Sequence, residues 1–156
     1  MNLNFAQAIE GLDASFEALR RMKPVKAGMW PADMPLKGVY LFSEGRRHLY
    51  VGRSNNIRGR HGRHCRPGAT GRMAAFAFQL AREATGKVER SYRKGEHSRS
   101  GLMLDPGFAE AFKRAKVRIR AMDFRFVEES HQTRQALLEI YCAVALGTPY
   151  NKFDNH

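Results

Sequence analysis

The sequence predicts an α+β fold, within the broad α/β class. It has a small mixed or antiparallel three-stranded sheet begun by a hairpin, flanked by helices, with an extra helix at the N-terminus. Three observations carry this expectation. Two short apolar runs flank a turn within residues 38–52, a third alternating stretch follows at residues 117–128, and the segments between and around them repeat their apolar residues at three- and four-residue steps. A chain of 156 residues suits one domain with its own core. With 43% hydrophobic and 27% charged residues it has the composition of an ordinary globular protein.

In residues 3–22, Phe5, Ala8, Ile9, Leu12, Phe16 and Leu19 form one stripe, with Glu10, Asp13, Glu17, Arg20 and Arg21 between them. This predicts one amphipathic helix, and its stripe suits packing on the domain better than a dimer contact. Pro24, Pro31 and Pro35 then make residues 22–37 an extended connector that Trp30 pins. Val39 and Leu41 fall on one face of a strand and Tyr40 and Phe42 on the other. Residues 43–46 read as a turn, and residues 48–52 return as a second strand. Ser54 or Asn55 is placed to cap a helix running to about His64, in which Ile57, Arg60 and His64 share a face. Gly59 and Gly62 are poor helix formers within it.

Residues 73–83 have a helical apolar pattern, and residues 86–100 read as a mobile loop. Asp105-Pro106 starts a helix that buries Phe108, Ala111, Phe112 and Ala115. From Val117 the alternation VRIRA slips phase into MDFRFVEE, which predicts a bulged strand or two strands. Ser130 or Thr133 caps a last helix through about Leu146, ended by Gly147 and Pro149.

The charge balance of 27 Lys+Arg against 15 Asp+Glu gives +12 and a pI near 10.3. Such an excess points to a polyanionic partner. Arg46, Arg47, Arg53, Arg58, Arg60, Arg63 and Arg66 lie in one segment whose only acid is Glu44, and arginine suits bidentate phosphate contact. Two cysteines, Cys65 and Cys142, are too few for a disulfide framework and fit reduced thiols. Neither a signal peptide nor a membrane-spanning run is evident, so the expected setting is the cytoplasm, without a membrane partner. Monomer and homodimer are both compatible with the pattern.

Glu139 is the only charge in the twelve-residue run QALLEIYCAVAL. Withdrawing a carboxylate from water costs several kcal/mol or more unless a cation meets it, so an arginine or a metal is expected there. His61, His64 and Cys65 invite a zinc reading. They lie too close together for a tetrahedral set and have no second ligand pair, so packing or phosphate contact fits them better.

Gly38-Val39-Tyr40, then Tyr50-Val51-Gly52, then Arg60, His64, Glu139 and Asn151, in this order, resemble the signature of the GIY-YIG nucleases. LLEIYCAVALGTPYN is similar to that family's closing helix and asparagine. The resemblance covers about residues 37–66 and 117–151. It implies a single nuclease domain over residues 1–156, with an N-terminal helix and connector (1–36) and a catalytic core (37–151) carrying an insertion at 67–116.

The activity implied is that of a metal-dependent DNA endonuclease. One Mg²⁺ or Mn²⁺ would be held by Glu139, mostly through water. Tyr40 would be the general base, with Tyr50 positioning, or the reverse. Arg60 would clamp phosphate and His64 would orient phosphate or a tyrosine hydroxyl. Arg53, Arg58 and Arg63 would contact phosphate, with Arg53 also placed to lower a tyrosine's pKa. Asn151 is grouped with these phosphate-side residues, although bracing through backbone hydrogen bonds suits it better. The alternatives are a non-catalytic nucleic-acid-binding or accessory module on the same scaffold and an RNA-directed nuclease.

Overall fold

The computed structural model describes residues 1–87 and 98–153. The chain divides into two compact units, Met1–Arg60 with Met122–His156, and His61–Ala121.

The first unit is built on a three-stranded antiparallel sheet of strands β1 (Gly38–Glu44), β2 (Arg47–Ser54) and β3 (Asp123–Glu128), in the order β2-β1-β3. The α+β class is thus the observed one. Gly45, at φ +59°, makes the turn between β1 and β2, a left-handed conformation that costs glycine nothing. The register slips between Phe42 and Ser43. As the central strand, β1 is buried on both faces. Val39 and Leu41 join Val51 in a core that also takes Leu12, Leu19, Leu138 and Cys142. On the opposite face Tyr40, Phe42, Phe124 and Trp30 form an aromatic layer with ring centroids 4.9–5.8 Å apart. The connector is tied to β3, because Val25 exchanges two backbone hydrogen bonds with Phe124, at 2.9 and 3.0 Å.

Two helices, α1 (Leu3–Ile9) and α2 (Leu12–Arg21), replace the single N-terminal helix expected. Gly11 causes the break: it takes φ +78°, which no helix interior admits. The apolar stripe survives the break, with Leu12 and Leu19 buried and Ile9 and Phe16 packed on the core. The closing helix of this unit, named α7 below in chain order, spans Gln132–Leu146. His131 caps it rather than Ser130 or Thr133, accepting from the Arg134 N–H, and Gly147 ends it at φ +63°.

Helix α3 (Ile57–Cys65) starts in the sheet unit and ends in the second, which also contains α4 (Ala75–Thr85), α5 (Arg99–Leu104) and α6 (Pro106–Arg120). Asp105 caps α6 by accepting from the Gly107 N–H at 3.0 Å. Phe78 packs on Phe108 at 5.0 Å between ring centroids, and the guanidiniums of Arg82 and Arg99 cover its ring.

Residues 117–120 are the last turn of α6, not a strand. Their alternation coincides with the end of a helical stripe in which Phe108, Phe112, Ala115 and Ile119 follow at steps of four, three and four. The phase slip marks the junction of helix and strand. Of the loop expected over 86–100, Gly86 caps α4 at φ +72° and Ser98 caps α5, while 88–97 lies outside the described residues. Among the described residues no helix is long and apolar enough to cross a membrane.

Candidate functional site

Backbone pairing places the two tyrosines. Tyr40 is opposite Gly52 and Phe42 opposite Tyr50 across the β1–β2 pair. Both signature glycines have a steric reason in the sheet. A Cβ at Gly52 would collide with the Tyr40 phenol, and one at Gly38 would collide with the Val127 carbonyl on β3. Tyr40 is 1% exposed and its hydroxyl accepts a hydrogen bond from the Arg60 guanidinium. Tyr50 is less enclosed.

Arg60 owes its position to the start of α3. The Ile57 N–H donates to the Leu36 carbonyl at 2.9 Å, and Asn56 caps the first turn by accepting from the Gly59 N–H at 3.0 Å. Asn55, expected as a cap, instead accepts from the Gln132 and Gln135 amides of α7, at 2.6 and 3.1 Å. Glu139 lies one turn beyond Gln135 and therefore shares its helix face. Its carboxylate is 3.8 Å from the Arg53 Nε, with the side chain 23% exposed.

The electrostatics couple these residues. Burial pushes the Tyr40 phenol well above the ordinary range of 10.0, and the neighbouring Tyr50 adds to the effect, while Arg60 opposes it. Tyr50 is raised as well, by burial, again against Arg60. The Glu139 carboxylate acts on both phenols in the upward sense. Burial raises the Glu139 pKa, and Arg53 opposes that rise. Arg60, not Arg53, is thus the cation that acts on the tyrosines, and Arg53 faces Glu139.

Asn151 is occupied by β2. Its amide accepts from the Val51 N–H and donates to the Val51 carbonyl, each at 2.7 Å, and also accepts from the Thr148 hydroxyl at 2.7 Å. It fixes the strand position next to Tyr50. Arg58 and Arg63 are exposed on α3. His64 is fully buried within the second unit, its ring 6.5 Å from that of Phe76. The structure thus gathers Tyr40, Tyr50, Arg53, Arg60 and Glu139 within the sheet unit, and braces them with Asn151.

Within the second unit, His61 and Cys65 touch at 3.6 Å between Nδ1 and Sγ. Burial lowers His61 to about 4 and raises Cys65 to about 11, so the pair is a neutral imidazole and a thiol. Among the described residues no group of three or more His, Cys, Asp or Glu is arranged to hold a metal.

Sequence reasoning overlooked three positioning residues. Gly52 reads only as part of a motif and Asn55 only as a cap, and Gln135 belongs to no motif. A buried amide in the run QALLE is the signal that marks Gln135. Searches against family models, curated proteins and solved structures find no match to this chain.

Proposed function

We propose that the chain is a metal-dependent endonuclease that hydrolyses phosphodiester bonds in DNA. The gathering of Tyr40, Tyr50, Arg60 and Glu139 in one unit carries this reading, because it joins residues 99 positions apart. The GIY-YIG resemblance and the +12 charge support it.

Glu139 suits a hard divalent cation. Its carboxylate is partly withdrawn from water, and its one cationic neighbour among the described residues is Arg53, too distant for a tight bidentate pair. A single carboxylate with water completing the shell is an ordinary way to hold Mg²⁺ or Mn²⁺. When bound there, the cation would neutralise charge on the phosphate and the leaving oxygen.

The remaining work falls to the protein's own groups. Arg60 would hold the non-bridging phosphate oxygens by its forked N–H donors, with the Tyr40 hydroxyl fixing its orientation. The attacking water would give its proton to a phenolate, and Arg60 favours that form against burial in both tyrosines. Full burial favours Tyr40 for orientation and the more accessible Tyr50 for the base, the reverse of the first assignment made from sequence. The two free thiols fit a reducing, cytoplasmic setting.

Supercoiled plasmid incubated with the protein and Mg²⁺ or Mn²⁺ tests the reading. Metal-dependent nicking is expected, abolished by a chelator and reduced about 100-fold or more in Arg60→Ala and Glu139→Ala. Nicking that survives intact in Glu139→Ala overturns the mechanism. Salt-sensitive binding of DNA without cleavage of DNA or RNA under either metal replaces it with the binding module, which the deep burial of Tyr40 favours.

A further inference from the structure

The second unit contains a cavity of about 860 Å³, between the 67–71 backbone, Met103 and one face of α6. That size falls within the range of small-molecule sites. Its apolar wall includes Met103, Phe112 and Val117, the last 65% exposed at the rim. Three cations, Lys113, Lys116 and Arg120, also line it, and no Asp or Glu does.

The spacing of these cations is the unusual feature. At i, i+3 and i+7 they lie in one stripe on α6, where like charges a turn apart repel. Lys113 already acts on Lys116 in that sense, lowering its pKa together with the larger effect of burial. Lys116 is only 7% exposed. Its ammonium donates to the carbonyls of Pro67 at 2.7 Å and Ala69 at 2.9 Å and lies 4.7 Å from the Phe112 ring centre. Two carbonyls use two of its three donors and neutralise none of its charge. Among the described residues no carboxylate forms an ion pair with any of the three.

A stripe of charge that is buried at Lys116 and exposed at Lys113 and Arg120, beside an apolar wall, is complementary to a ligand that is apolar at one end and multiply anionic at the other. A fatty acid brings one charge to three cations, and inorganic phosphate leaves the apolar wall bare. We propose that this cavity binds a nucleoside phosphate, with the base against Met103 and Phe112 and the phosphate against Lys113, Lys116 and Arg120. The source of that group is either a free nucleotide or the 5′-phosphorylated end of a strand. The inference does not rest on the nuclease reading, since the cavity belongs to the second unit alone.

Calorimetric titration of the full chain with AMP, adenosine, inorganic phosphate and decanoate tests it. AMP is expected to bind with a Kd of about 1 mM or tighter, at least about tenfold better than the other three. Val117→Glu and Lys113→Glu, both on exposed positions so that folding is kept and checked by melting, should each weaken AMP about tenfold or more. Arg60→Ala should leave AMP binding unchanged, which separates the cavity from the candidate active site. A 5′-phosphorylated oligonucleotide that displaces AMP better than its 5′-hydroxyl counterpart assigns a strand end, and failure to displace assigns the free nucleotide. The proposal is overturned if AMP does not bind, if decanoate binds as well as AMP, or if AMP binding survives both acidic variants or disappears in Arg60→Ala.

Discussion

The phenol of Tyr40 lies against the α-carbon of Gly52, its partner on the neighbouring strand, so closely that a side chain at position 52 has no room. The missing Cβ therefore sets where the Tyr40 hydroxyl meets Arg60. Gly52→Ala should force the ring outward or the strands apart, costing about 1–3 kcal/mol as overpacking. Because a shift of about 1 Å in a positioning group is able to cost roughly 100-fold in rate, plasmid nicking should fall more than stability suggests. Chemical denaturation beside a nicking assay measures both. An alanine variant of unchanged stability and activity would show that the close approach has no functional weight.

Asn151 makes a different prediction, because its amide is spent on the Val51 backbone. Asn151→Ala leaves a buried N–H and C=O without their partners and should cost about 1–3 kcal/mol. Asn151→Asp, which accepts but does not donate, should also destabilise. Duplex affinity, measured at a temperature where the variants remain folded, should be unchanged. Lost affinity with unaltered stability would move Asn151 from bracing the strand to touching substrate.

The contrast between these residues and the misread ones shows what a sequence makes legible. The hairpin was readable because alternation and a glycine turn agree locally, and α7 because its apolar run ends at Gly147. Residues 117–120 mislead because four residues are too few to tell a two-residue period from the end of a helical one; Phe108 and Phe112, earlier on the same helix, decide it. Gly11 lay inside a regular stripe, and its φ of +78° is a backbone fact that apolar spacing does not encode. For the site, Glu139 announced itself as a lone charge, whereas its meeting with Arg53 depends on α7 crossing to β2, a tertiary contact. Arg60 and the tyrosines were tied to it by resemblance rather than by any local pattern.

Exposure separates the two tyrosines and gives each a distinct mutant. Tyr50→Phe should lower the nicking rate about 100- to 10,000-fold, the range for loss of a general base. Tyr40→Phe removes only the hydroxyl that orients Arg60, so its deficit should be smaller and appear largely in KM. Both phenols are raised above 10.0, and in the proposed mechanism the phenolate takes the proton. The logarithm of the rate should therefore rise with pH up to the alkaline limit of folding, without a plateau near neutrality. Larger loss in Tyr40→Phe returns the base role to Tyr40.

Acid sensitivity should trace to His61. Burial, aided by the Arg120 charge, lowers its pKa from 6.5 to about 4 in the folded chain. A lowered pKa means the unfolded chain binds the proton first. The contribution of His61 is then fully present above pH 6.5 and is lost as pH falls through about 4. The shift corresponds to at most about 3 kcal/mol across that window. In His61→Gln the titrating group is absent, and other groups that change protonation, such as His48, are common to both proteins and cancel in the difference. Urea denaturation of the two proteins at pH 7 and pH 4.5 should show the wild type losing more stability than the variant, even if the variant starts lower. Equal losses would place the acid sensitivity elsewhere in the chain.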